Sequence, residues 1–97
     1  MIDGKYKISM KTPMGVKDGF LTFRTTGGAL SGILEILGKE NPFEGGTVDG
    51  DDLKFSGTFQ SIMGKTQYDG EGSVDGDVLK GVSHTKMGDM PLTGTRV

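Results

Sequence analysis

The stretch Ala29 to Leu37, ALSGILEIL, decides the fold. Leu30, Ile33, Leu34 and Leu37 match the spacing of a helix, and Gly38 stands where a helix cap belongs. The same residues also fit a strand. Gly27 and Gly28 precede the stretch and Gly32 lies inside it, and each glycine costs a helix roughly 1 kcal/mol relative to alanine. The neighbouring segments all alternate as strands do, so pairing partners are available. We therefore read Ala29–Leu37 as a strand. Leu30, Leu34 and Ile36 then share one face, and Ile33 and Leu37 point the other way. A strand that is apolar on both faces needs cover on both.

Alternation continues on either side. Upstream, KYKISMK (Lys5 to Lys11) sets Tyr6, Ile8 and Met10 against Lys5, Lys7, Ser9 and Lys11, the period of a half-buried strand. TPMG (Thr12 to Gly15) has proline and glycine placed for a turn. DGFLTFRTT (Asp18 to Thr26) is a second strand whose inner face stays open. Downstream, GKEN (Gly38 to Asn41) is read as a turn and PFEGGTV (Pro42 to Val48) as a short fourth strand. DLKFSGTFQS (Asp52 to Ser61) places Leu53, Phe55, Gly57 and Phe59 together, and after IMGK (Ile62 to Lys65), TQYDGEGSV (Thr66 to Val74) does the same for Tyr68, Gly70, Gly72 and Val74. VLKGVSHTK and MPLTGTRV complete the count at eight. Asp49-Gly50-Asp51 and Asp75-Gly76-Asp77 carry the Asp-Gly signal of tight hairpins. No link is long enough for a crossover helix, so neighbours pair antiparallel. The expected fold is all-β, one domain over residues 1–97: an up-and-down meander of eight strands that closes and so removes its edges.

Composition agrees and narrows the function. Ninety-seven residues make a single modest core. Eighteen are glycine, without the Gly-X-Y period of collagen, so they punctuate strands. The net charge is −2, the lysines are scattered, and Arg24 and Arg96 are the arginines. Nucleic-acid binding needs clustered cations and is not expected. There is no cysteine, hence no disulfide or thiol chemistry. The polar N-terminus MIDGKYKISM is unlike a signal peptide, and no apolar run reaches the ~20 residues of a membrane helix. The expectation is a cytoplasmic protein without a membrane role.

Candidate chemistry is sparse. DGDDLKFSGTFQ puts Gly50 where a calcium loop has a spacer and Gln60 where it needs a bidentate glutamate, so the aspartates read as turn formers. MGKT (Met63 to Thr66) lacks the upstream glycine and the helix of a phosphate loop. His84 is the single histidine and finds no partner near it in the chain. Asp69 and Glu71 share a face that reads as solvated. No catalytic residue, metal site or cofactor is expected.

The motifs GKY at Gly4–Tyr6, VDGDxL at Val48 and Val74, and the ending GTR with Arg96 are similar to those of calycin-like barrels. In lipocalins a tryptophan stands where Tyr6 stands here, and an arginine of the last strand packs across it. Length and strand count also resemble the streptavidin branch and half-size lipocalin-like bacterial proteins. The tryptophans of a biotin site are missing from this chain, which has none. The resemblance implies a barrel that binds a small apolar or amphipathic molecule, lined by Tyr6, Phe55, Phe59, Tyr68 and Arg96. Arg96 either closes the barrel end on Tyr6 or meets a ligand carboxylate. The alternative is a structural or interaction module whose barrel is filled by Tyr6, Phe20, Phe23, Phe55, Phe59 and Tyr68. Met14, Met63, Met87 and Met90, in or beside turns, suit plugs at the barrel ends. The outward residues Ile33, Leu37, Val78 and Val82 are the expected interface of a homo-dimer or tetramer.

Overall fold

The computed structural model describes residues 2–12, 15–36, 38–61, 64–86 and 88–97. Eight strands follow one another: β1 (Gly4–Thr12), β2 (Gly15–Thr26), β3 (Ala29–Ile36), β4 (Lys39–Asp49), β5 (Asp52–Ser61), β6 (Gly64–Asp75), β7 (Val78–Thr85) and β8 (Gly88–Arg96). Each pairs antiparallel with the next, and β8 returns to β1, so the sheet closes into a barrel. Among the described residues there is no helix. ALSGILEI is a strand, with Leu30, Leu34 and Ile36 buried and Ile33 on the outer side.

Several boundaries differ from the sequence reading. Of Gly38–Asn41 only Gly38 lies in the turn: Lys39, Glu40 and Asn41 already pair with Ile36, Glu35 and Leu34. β2 begins at Gly15, which pairs with Thr12; Pro13 and Met14 of the expected turn lie outside the described residues. The aspartate-rich hairpins turn on Gly50–Asp51 and Gly76–Asp77, because Asp49 pairs with Asp52 and Asp75 with Val78. Their loops are thus Gly-Asp, with the glycine at φ +63° in both, the left-handed conformation a two-residue hairpin demands.

The fourth strand holds a bulge. Leu30 pairs with Gly46 and Gly32 with Phe43, so β4 spends three steps where β3 spends two. Gly45, at φ +81°, supplies the left-handed residue. The extra residue flips the inward parity of β4 from odd positions (Phe43) to even ones (Gly46, Val48). Beyond it the β4–β5 ladder covers Thr47–Asp49 against Asp52–Lys54.

The strands are staggered around the ring. At one end the Gly28 carbonyl accepts from Val48 N–H, Asp51 from Val74 and Asp77 from Arg96, each hairpin tip bonding to the next strand along. This stair-step is the tilt that an eight-stranded barrel requires. The core is the lumen, where eighteen apolar side chains among the described residues are buried. Phe43 is among them and Phe20 is not, which corrects the expected set. The inward residues of β2 are Leu21 and Phe23, so Phe20 faces out, beneath the Lys5 ammonium at 4.6 Å from the ring centroid. Phe43 turns inward opposite Gly32, whose missing side chain leaves room for the ring.

Candidate functional site

Six aromatic rings run through the lumen in unbroken contact. Tyr6 meets Phe23 at 5.7 Å between centroids, and Phe23 meets Phe43 and Phe55 at 6.1 and 5.5 Å. Phe43 and Phe55 lie 4.8 Å apart, Phe55 meets Tyr68 at 5.9 Å, and Tyr68 meets Phe59 at 6.0 Å. Most pairs are tilted or edge-to-face, the geometry that ring quadrupoles favour. Glycines make the row possible. Phe55 pairs with Gly70 and Tyr68 with Gly57, and a Cβ at Gly57 would stand 3.0 Å from the Tyr68 hydroxyl oxygen. Each ring lies over bare backbone of the adjoining strand.

The row holds two tyrosines, Tyr6 at one end and Tyr68 next to the terminal Phe59, and the two are treated differently. Tyr6 is fully buried. Its hydroxyl donates to the Ile2 carbonyl at 2.8 Å and accepts from Arg96 Nη2 at 2.8 Å. The Arg96 guanidinium lies 5.1 Å from the Tyr6 ring centroid, donates through Nη1 to the Asp3 carbonyl at 2.7 Å, and keeps Nε 3.2 Å from Asp77 Oδ1. Asp3 in turn accepts from the hydroxyl and amide of Thr25, and those bonds hold its carboxyl below the usual carboxylate range. Ile2 is buried under this arrangement. Arg96 and Tyr6 thus sit together at the end where Ile2 and Asp3 cross the barrel.

Tyr68, on β6, pairs with Thr85, the last residue of β7, and so lies toward the opposite end. It is 2% exposed. Its hydroxyl oxygen is buried and has no hydrogen-bond partner among the described residues. Desolvation pushes its ionisation well above the ordinary tyrosine range, so it stays a neutral donor. The buried polar residues among those described, Thr66 and Ser83, belong to the same half of the lumen: Thr66 pairs with Phe59, and Ser83 with Met90. Of the expected lining residues, Phe55, Phe59 and Tyr68 come together and Tyr6 with Arg96 forms a separate end. Sequence reasoning did not single out Phe43, Thr66 or Ser83; alternation within β6 and β7 carried the signal for the last two. Among the methionines, Met10 and Met90 are buried, while Met14, Met63 and Met87 lie outside the described residues.

On the outer wall His84 has partners after all. Nδ1 is 2.6 Å from Asp89 Oδ1 and Nε2 is 3.3 Å from Glu71 Oε1, carboxylates brought from β8 and β6 by strand pairing. The hydrogen bond to Asp89, then that to Glu71, raises the imidazole's ionisation above its usual value. The group is exposed, and among the described residues no cluster suited to a metal ion occurs. Of the expected interface residues, Val78 is 41% exposed, Ile33 and Val82 are half-buried, and Leu37 lies outside the described residues. Ile33 on β3 and Val82 on β7 are four strands apart in a ring of eight, on opposite walls.

No protein family and no curated protein matches the sequence. Among solved structures, the chain is similar to a redesigned β-barrel, mFAP1, solved bound to DFHBI. The TM-score is 0.67 at 23% identity, over 98% of this chain and 93% of that one. At that identity the likeness is one of fold.

Proposed function

We propose that the barrel binds a small, flat, apolar or amphipathic molecule non-covalently in the half of the lumen that holds Tyr68. The observation that carries this is the Tyr68 hydroxyl, buried and without a partner. Leaving such a group unsatisfied costs about 1–3 kcal/mol, which a ligand that accepts its hydrogen bond recovers. The aromatic row beneath it offers ring faces to a flat molecule, and Thr66 and Ser83 add polar edges. The mFAP1 barrel, of the same fold, was solved with a small molecule bound. The proposed role is binding without chemistry, since the ionisable groups that converge around His84 stand on the outside wall.

Two measurements test it. Native mass spectrometry of protein taken from its own host is expected to show a retained small molecule. Fluorescence titration with DFHBI as a surrogate flat ligand is expected to show saturable binding, weakened about tenfold by Tyr68→Phe, the worth of one hydrogen bond. Apo protein from the host that also fails to bind flat dyes overturns the proposal. That outcome supports the second reading, a structural module, which the continuous aromatic filling of the lumen favours.

A further inference from the structure

Two opposite outer walls of the barrel differ in charge and shape. On β1 and β2 the outward row reads Lys5 and Lys7, beside Phe20 and Thr22, with Ile33 next on β3. The register places Lys5 against Thr22 and Lys7 against Phe20, and Thr22 leads on to Ile33. Two acids border this wall. Asp18 is engaged by the Ser9 hydroxyl at 2.9 Å, and Glu35 lies opposite Phe20. The wall thus presents a ridge of two lysines about an apolar centre, with its acids at the border.

Diametrically across the ring, β4 to β7 enclose an outer trough of about 690 Å³. Gly72 and Gly81, which pair with each other, leave its floor without side chains. Asp49, Asp52 and Glu71 stand on its rim with Lys54, and Val82 adds an apolar edge. Asp49 and Asp52 are direct cross-strand partners. Like charges in that position repel, and a cation between them relieves the repulsion.

We infer that the β1–β2 ridge of one molecule docks in the β5–β6 trough of a second copy of this chain. Lys5 and Lys7 point the same way along one strand and meet Asp52 and Glu71. Phe20 and Ile33 meet Val82. The two surfaces differ and lie on opposite sides, so the contact is heterologous. It propagates head to tail into open chains and does not close as a two-fold dimer. This inference is independent of any molecule in the lumen.

Sedimentation velocity tests it. The native protein is expected to form a concentration-dependent ladder of species at low ionic strength. Near ~0.5 M salt, where screening reaches only a few ångströms, the half-association concentration is expected to rise about tenfold. Lys5→Glu with Lys7→Glu makes both walls acidic, and Asp52→Lys with Glu71→Lys makes both basic. All four side chains are exposed, so circular dichroism is expected to show the native fold in both variants. Each alone is expected to stay monomeric, and an equal mixture to associate again. A native protein that stays monomeric at low salt overturns the inference. So does self-association unchanged in either variant, or a mixture that remains monomeric.

Discussion

Tyr6 and Tyr68 share a residue type, an inward direction, near-complete burial and membership of the same aromatic row. They differ in what their oxygens touch. Tyr6 is spoken for twice, by Ile2 and Arg96, and Tyr68 by nothing among the described residues. Burial of a hydroxyl is tolerable when it is bonded and costly when it is not. One end of the lumen is therefore architecture brought to completion. Toward the other end a buried donor stays unpaired among the described residues, and the proposed binding role rests on that asymmetry.

The comparison can be broken most forcefully at its middle. Phe55 touches Phe23, Phe43 and Tyr68, so Phe55→Ala is expected to cost about 3–5 kcal/mol in urea unfolding. A loss under about 1 kcal/mol would mean that the two ends are not joined by one packed row. Arg96→Ala strips the Tyr6 end of its charged donor and is expected to cost about 2–3 kcal/mol, with the hydrogen exchange of Ile2 to Tyr6 accelerating. The sharpest test is a matched pair. Tyr6→Phe orphans the Arg96 and Ile2 groups and is expected to destabilise by about 1–2 kcal/mol, whereas Tyr68→Phe removes an orphan and is expected to be neutral or to stabilise by up to about 1 kcal/mol. Equal effects in both variants would erase the distinction.

The smallest effect concerns alkaline pH. Burial raises the ionisation of both tyrosines above the ordinary value of 10.0. At Tyr6 the positive charge of Arg96 works against that shift. Above pH 10 the unfolded chain loses phenolic protons that the folded one keeps, so stability falls as pH rises and is unaffected below. Absorbance titration is expected to show two late-ionising tyrosines, with Tyr68→Phe removing the later one and flattening the alkaline decline.

The barrel was readable because alternation is a local property: Leu53, Phe55 and Phe59 announce their face within one segment, and Ala29–Leu37 is settled by its glycines. What was not readable depends on register. The bulge at Gly45 reverses parity midway along β4, and no periodicity within seven residues reveals a reversal. Phe20 and Phe43 exchange roles for related reasons: the mixed polarity of β2 hides its inner face, and Phe43 owes its place to Gly32 on another strand. His84 gains Asp89 and Glu71 only through pairing with β8 and β6. The candidate site was half legible. Tyr68, Phe55 and Phe59 were named from alternation, but that Tyr68 would be left without a partner is a fact of packing.

The latch between Arg96 and Asp3 spans nearly the whole chain, 93 positions in sequence. Every other seam of the barrel is a hairpin and can zip as soon as its two strands exist. The β1–β8 seam has to wait until all seven hairpins have formed, and a bare β1 edge persists throughout that wait. Shutting the ring is thus expected to be the slow event of folding, with aggregation competing during that interval. A permuted chain that links Val97 to the first residues and opens at Gly50–Asp51 would move the wait to the β4–β5 seam, whose ladder is the shorter one.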